Sequence, residues 1–522
     1  MLHIVPRKIV AQAPKSLACK VHITALSRIN SRHMHRSNMS SASPSNISDR
    51  SAFTTRDSID YIWRELNLPT QALDSLELED DGYDYPSSFK IGHLAQASIA
   101  LSALSAALVH ASRHSTEVPK VLVPLRHACL EFSTETLFTI DGETLPSAKG
   151  PLGGFHATAD GYVFVHDSFP HHRSGTLRLL GLDKNADREQ VTEKVKMWKK
   201  LDLEEAAHQN SLVIYALRSY DEWDALPHAS QVSNFPIIIR KIGETGPDAS
   251  PDHVEPDADR CLRGLRVLEL SRVIAAPVAG KTLAAHGANV LWATSPNLSD
   301  LPSLDRNMSR GKRTTQLDLN KSKDAETMRH LLADCDVFLQ GYRPQSLAAK
   351  AFGAADVAKM RPGIIYANLS AFGPTGPWAD RRGFDSLVQT CTGVDISEAE
   401  RYGDGSPARI LPCQALDHAA GYFLATGISA ALYKRATEGG SWEVHVSLAA
   451  TMKYLRSLGQ RSGKSAFEIA SPTRDVPDAY YEERNSAFGR MRGIRHAADV
   501  EGLSPGWDIM PKPLGSDKPI WT

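Results

Sequence analysis

The sequence predicts an α/β fold: a doubly wound, parallel, Rossmann-like sheet accompanied by a smaller α/β domain. Two observations carry this expectation. Compact apolar stretches alternate with Ala-rich helical stretches from Gly264 onward, a strand, helix, strand rhythm that gives parallel sheets covered by helices. The chain is also 522 residues long, too long for one ordinary core, so two folded units with tails are expected.

The elements follow in order. Residues 1–48 contain no Asp or Glu but carry Arg7, Lys8, Lys15, Lys20, Arg28, Arg32 and Arg36. That is transit-peptide composition or a disordered leader, taken here as 1–50, and it leaves a mitochondrial or a cytoplasmic location. The apolar run Leu94–Ala111 includes Gln96 and His110, is too short and polar to span a bilayer, and reads as a buried helix. DASPDHVEPDAD (Asp248–Asp259) lacks apolar periodicity and reads as a linker. The expected units are 51–247, linker 248–262, 263–460 and a tail 461–522 packing on the core.

Across that linker the sequence repeats. HLAQASIALSALSAAL from His93 leads to VLVPL (Val121–Leu125), and DHAAGYFLATGISAAL from Asp417 leads to VHVSL (Val444–Leu448). An Ala-rich helix followed at nearly equal distance by an alternating strand points to a partial duplication. The copies differ at the first position, His93 against Asp417.

In the second half, GLRVLEL (Gly264–Leu270) reads as a strand, APVAGKTLAAHG (Ala276–Gly287) as a helix closed by glycine, and ANVLWAT (Ala288–Thr294) as the next strand. Further strands are expected at Asp336–Tyr342 and Gly363–Ser370, with a helix at Asp324–Cys335 between them.

Composition excludes several classes. Lysine and arginine number 59 against 60 acidic residues, a net charge of −1, which lacks the footprint of a nucleic-acid or membrane-surface binder and leaves small molecules as expected partners. The six cysteines are scattered without a CxxC pair, implying a reduced compartment and neither zinc nor a disulfide framework. The first turn of the sheet reads SRVIAAPVAG and lacks GxGxxG, and Walker-A, HExxH and GxSxG patterns are absent too.

Asp417 stands at the head of its Ala/Gly-rich helix, where an aspartate commonly caps free N–H groups. The same position keeps a carboxylate ionised, as a nucleophile attacking a thioester requires. His166, His171 and His172 cluster in HDSFPHHR without a carboxylate at ligand spacing, so a hydrogen-bonding turn is preferred to a metal site. Gly153 and Gly154 in GPLGGFHATADG fit a hairpin loop or a flexible flap whose N–H groups could cradle an oxyanion.

The run GLRVLELSRVIAAPVAGKTLAAHGANVL, followed by GKRTTQLDLN, DVFLQGYRP, RPGIIYANLSAFGPTGP and RRGFDSLVQ, resembles the class III CoA-transferase (CaiB/BaiF) family in motif order and spacing. The resemblance covers Gly264–Gln460, with His93–Gly243 similar to a partial second copy holding the smaller domain, and Ala487–Trp507 similar to the family's tail. It implies Asp417 as the aspartate that carries the acyl group. It further implies CoA contacts at Arg272, at Leu317, Asp318, Leu319 and Asn320, at Tyr342 and Arg343, at Lys350, and at Arg381, Arg382, Gly383 and Phe384.

By that resemblance the substrates are an acyl-CoA and a free carboxylic acid. No cofactor is held permanently and no metal is needed. A homodimer, or a pseudo-dimer within one chain, is expected. Ala276 replaces a glycine of the family's AGP turn and Ser295 a basic residue beside the ribose, so CoA is expected to bind more weakly or in a different arrangement. The family's racemases use a histidine in GHD; here Phe384 occupies it and cannot exchange a proton, so transferase is preferred to racemase or isomerase. A non-catalytic CoA-binding protein is the third alternative.

Overall fold

Seven strands form the principal sheet: β1 (Ile237–Gly243), β2 (Arg266–Leu270), β3 (Asn289–Thr294), β4 (Lys312–Gln316), β5 (Val337–Gln340), β6 (Ile365–Ser370) and β7 (Ser441–Ser447). Their spatial order is β4-β3-β2-β5-β6-β7-β1, all pairs parallel except β7 with β1. Every residue of β5 and all but the first of β2 are buried, as expected of strands covered on both faces. The doubly wound α/β expectation is met. The structure, a computed structural model, describes residues 47–247 and 258–522. The leader, for 1–46, and the linker, for 248–257, lie outside the described residues.

Four helices position the site: α1 (Ile91–His114), α2 (Ala275–Ala285), α3 (Asp385–Cys391) and α4 (Ala415–Glu438). Helix α4 packs on α1, on α2 and on β7, and its small residues allow this. A Cβ on Gly421 would fall 2.6 Å from the Ala275 carbonyl oxygen of α2, and one on Gly427 2.5 Å from Val444 Cγ1 of β7. Close packing of this kind accounts for the Ala/Gly richness that obscures any apolar stripe in the sequence. Lys312 Nζ of β4 bonds Glu269 of β2 at 2.9 Å and the Pro277 carbonyl of α2 at 2.8 Å, tying sheet to helix inside the core.

The length expectation for the apolar run fails. Helix α1 spans 24 residues and is long and apolar enough to cross a membrane, yet 94% of its most apolar 18 residues is buried inside the protein, as a core helix is. The sequence underestimates it because its serines return their hydroxyls to the preceding turn, as Ser102 does to the Ile99 carbonyl at 2.8 Å, and so remain helical.

The two similar segments share geometry. Helices α1 and α4 each have 24 residues, and the residues before them, Lys90 and Gln414, both have ψ 63°. Each helix is followed by a strand running directly into a further helix: Val121–Pro124 into Leu125–Glu131, and β7 into Leu448–Ser457. His93 and Asp417 are each the third residue of their helix. In the first half, strands Gly154–Ala157, Tyr162–Val165 and Ile214–Ala216 form a small sheet, while Thr139–Ile140 and Glu143–Thr144 join the C-terminal hairpin Tyr481–Ser486 and Gly489–Ile494.

Candidate active site

In an open α/β sheet, ligands settle outside the carboxyl ends of the strands where the order reverses. Here β2 has β3 on one side and β5 on the other, so the loops after β2 and β5 frame that crevice. Val273, after β2, takes φ 72°, a strained conformation for a β-branched residue. Gly341, after β5, is needed because α2 comes close: an added Cβ would lie 2.8 Å from Ala276 Cβ. Gly341→Ala is expected to destabilise the fold by about 1–3 kcal/mol through overpacking. A denaturant melt checks this, and an unchanged midpoint would show that α2 is free to shift.

A narrow crevice opens here, lined by Phe169, Ser271, Arg272, Trp292, Thr294, Ser295, Asp300 and Asp305 among others. Arg272 donates to the Ser299 carbonyl, and its guanidinium carbon lies 4.4 Å from the centroid of the Phe169 ring. Beyond β4, Asp318 and Asn320 are joined at 3.0 Å, and Lys350 Nζ reaches Asn320 Oδ1 at 2.8 Å. Leu317 is buried and Leu319 partly buried against the core. Tyr342 N–H donates to Gln340 Oε1 at 2.7 Å, and exposed Arg343 reaches the Asp380 carbonyl at 3.4 Å.

Asp417 lies in the first turn of α4 and is buried, with 6% of its surface exposed. The cap comes from elsewhere. Asp385, at the start of α3, accepts from the N–H groups of Leu416 at 2.8 Å and Asp417 at 2.9 Å. Its second oxygen accepts from Gln389 Nε2, whose own oxygen accepts from Leu411 N–H at 2.9 Å. Among the described residues no hydrogen bond reaches the Asp417 carboxylate. His418, the next residue, bonds Glu135 of the first half at 2.9 Å.

This corrects the expectation that Asp417 caps its own helix and is kept ionised by the helix end. Burial first, then the neighbouring Asp385 and Glu135 charges, push the Asp417 carboxyl well above its ordinary range. Asp385 is also pushed up, by burial, against the opposing pull of the N–H groups it accepts.

Of the remaining predicted contacts, Arg381 is held in ion pairs with Glu204 and Glu205, both at 3.2 Å, and lies 4.3 Å from the Trp378 ring centroid. Arg382 donates to the Ser211 carbonyl at 2.9 Å. Gly383 allows close approach, since a Cβ would lie 2.6 Å from Ala371 Cβ. Phe384 stacks on His166 with centroids 4.2 Å apart. His171 and His172 lie 4.1 Å apart, and burial brings the His172 imidazole down to about 3. Among the described residues no group of three His, Cys, Asp or Glu side chains could hold a metal ion.

Gly153 and Gly154 sit where Asp167 pins the loop. Asp167 accepts from Leu152 N–H at 2.8 Å, a Cβ on Gly153 would lie 2.4 Å from that carboxylate, and Gly154 opens its strand at φ 108°. Arg188 fastens the loop from the other side through the carbonyls of Leu152 at 3.0 Å and Phe155 at 2.9 Å.

Comparison with known proteins bears on what this arrangement belongs to. The description CoA-transferase family III matches residues 262–473, the stretch that contains β2 to β7, the crevice loops, Asp385 and Asp417. Residues 262–473 are thus similar to CoA-transferase family III. An acyl-CoA transferase of Gibberella moniliformis is 28% identical over 75% of this chain and 81% of its own length. The acetyl-coenzyme A transferase nodX of Hypoxylon pulicicidum is 30% identical over 59% of this chain and 55% of its own length. Among solved structures, a CAIB/BAIF family protein from Brucella suis is 25% identical, covering 44% of this chain and 64% of that one with a TM-score of 0.33. Within this matched segment the sequence points to Phe384 but not to Asp385 beside it, and it offers no means of finding Glu135 in the other half. The available signal for Asp385 was an acid at the start of a short helical stretch, with Gln389 four residues on.

Proposed function

We propose that this chain transfers CoA from an acyl-CoA to a free carboxylic acid, with Asp417 as the nucleophile. The observation that carries the reading is a buried carboxylate without hydrogen-bond partners among the described residues, held at a helix start in a segment similar to CoA-transferase family III. Its raised proton affinity makes it a better nucleophile once ionised than a solvated aspartate.

In the first step an Asp417 oxygen attacks the thioester carbonyl and expels CoA thiolate, leaving an aspartyl anhydride. The thiolate attacks the aspartyl carbonyl, releases the donor acid and leaves an aspartyl-CoA thioester. The acceptor carboxylate then attacks that carbonyl, expels thiolate and forms a second anhydride. Attack of thiolate on the acceptor's acyl carbon yields the new acyl-CoA and restores the Asp417 carboxylate. Each step exchanges one activated acyl group for another, so the chemistry balances without further reactants. Arg272, Asn320 and Lys350 are assigned to the nucleotide and diphosphate of CoA at the carboxyl ends of the sheet. Arg381, bound in its ion pairs, is assigned to holding the loop before α3.

Incubating the full chain with mixed acyl-CoAs and acids, with mass-spectrometric detection of products, tests the reading. New acyl-CoAs formed from the added acids are expected. Hydrolysis alone, or exchange at the α-carbon without transfer, would overturn it.

A further inference from the structure

The parallel neighbours β2, β3 and β4 frame a second cleft at their amino ends, the opposite end of the sheet from the crevice loops. It holds about 350 Å³ and is lined by Arg263, Arg266, Asn289, Arg313 and Asp508 among others, a size at the lower end of small-ligand pockets. The proposed transfer makes no use of it.

Three guanidiniums stand against one carboxylate in that lining, an excess of positive charge. Arg263 is paired with Asp259 at 2.7 Å and with Asp508 at 3.0 Å, and Arg266 with Asp334. Arg313 differs. Alternation along β4 sends Lys312 inward to Glu269 and turns Arg313 to the other face of the sheet. Arg313 is only 9% exposed, yet its Nε and Nη2 are buried without an acceptor among the described residues. Asp517, whose charge bears on Arg313, spends one oxygen on Lys512 at 2.7 Å and the other on the Thr314 N–H at 2.8 Å. Nε–H and Nη2–H share one edge of the guanidinium, and their parallel bonds match two oxygens of a carboxylate or a phosphate. A buried charged group without a partner costs free energy unless a ligand satisfies it.

We propose that this cleft binds a small dianionic oxyanion, a phosphate ester or a dicarboxylate, which Arg313 grips through that edge while Arg266 and Arg263 supply the remaining positive charge. The site stands apart from the reaction, so its ligand is held together with CoA rather than in its place.

Calorimetric titration of the full chain with inorganic phosphate, and separately with succinate, tests this. Saturable binding of at least one probe is expected, unchanged by saturating CoA; binding of phosphate alone supports a phosphate ester as the ligand, and binding of succinate alone a dicarboxylate. Arg313→Gln is expected to weaken that binding by about tenfold or more, the loss of a charge-assisted bond. Should that variant fail to fold, Arg266→Gln carries the same test, with a loss of several-fold expected. Saturable heat from neither probe overturns the inference, as does displacement of the probe by CoA, which would place the anion in the crevice at the carboxyl ends. Undiminished binding in a folded Arg313→Gln, or in Arg266→Gln where it stands in, also overturns it. None of these outcomes touches the transferase reading, which is judged on products alone.

Discussion

Asp417→Ala is expected to abolish transfer, with kcat down by on the order of 10³-fold or more, because every step of the proposed reaction passes through that carboxylate. The variant remains folded, and its stability follows from linkage. Burial and the charges of Asp385 and Glu135 raise the Asp417 proton affinity in the folded chain. A carboxyl with a raised folded-state affinity lowers stability as pH rises from the unfolded-state value, near 4, to the raised folded one, and that penalty persists above it. Removing the group removes the penalty. Thermal melts at pH 7 should therefore place the alanine variant level with or above the parent, and the difference should vanish below about pH 4. A marked loss of melting temperature at pH 7 would mean that Asp417 is a structural partner rather than an unpaired nucleophile.

The second large effect is expected at Asp385. Asp385→Ala leaves the buried N–H groups of Leu416 and Asp417 without their acceptor, at about 1–3 kcal/mol for each unsatisfied group. The start of α4 then shifts, and a displacement of about 1 Å at the nucleophile costs on the order of 10²-fold in turnover. Asp385→Asn separates position from charge. It keeps an oxygen to accept the two N–H groups but removes the negative charge that raises the proton affinity of Asp417. The acidic limb of kcat/KM, which reports the free enzyme, is therefore expected to move to lower pH in Asp385→Asn while KM for acyl-CoA stays near the parent value. A limb that stays in place would assign Asp385 to helix capping alone.

Much of the second half was legible in the sequence because its strands are short apolar runs and its helix boundaries carry glycine. The strand expected over Gly264–Leu270 runs Arg266–Leu270, that over Ala288–Thr294 runs Asn289–Thr294, and the helix expected from Ala276 begins at Ala275. The electrostatics of Asp417 were not legible. An aspartate at a helix start looks locally like a cap favoured by the helix dipole. What reverses its proton affinity is burial together with two carboxylates from distant segments, Asp385 and Glu135. Arg381 likewise looked available until Glu204 and Glu205, far away in sequence, claimed it. Helix α1 was underestimated for a local reason, its serines reading as polarity when they bond their own helix.

The similarity of α1 to α4 narrows where chemistry can occur. His93 occupies the third position of α1 as Asp417 does of α4, and Asp84 accepts from Gly92 N–H at 2.7 Å much as Asp385 does from Leu416. His93 itself lies 2.7 Å from the Ser58 hydroxyl in a buried setting, and an imidazole cannot form the anhydride that passes CoA between acids. One working site per chain follows from the account.

Hydroxylamine trapping of the full chain after incubation with an acyl-CoA donor, with peptide mapping of the hydroxamate, tests that claim most directly. Modification is expected at Asp417 alone, at no more than one equivalent per chain, with the same result in His93→Ala and most activity retained. Modification at another carboxylate, or a loss of turnover in His93→Ala comparable to that in Asp417→Ala, would contradict it.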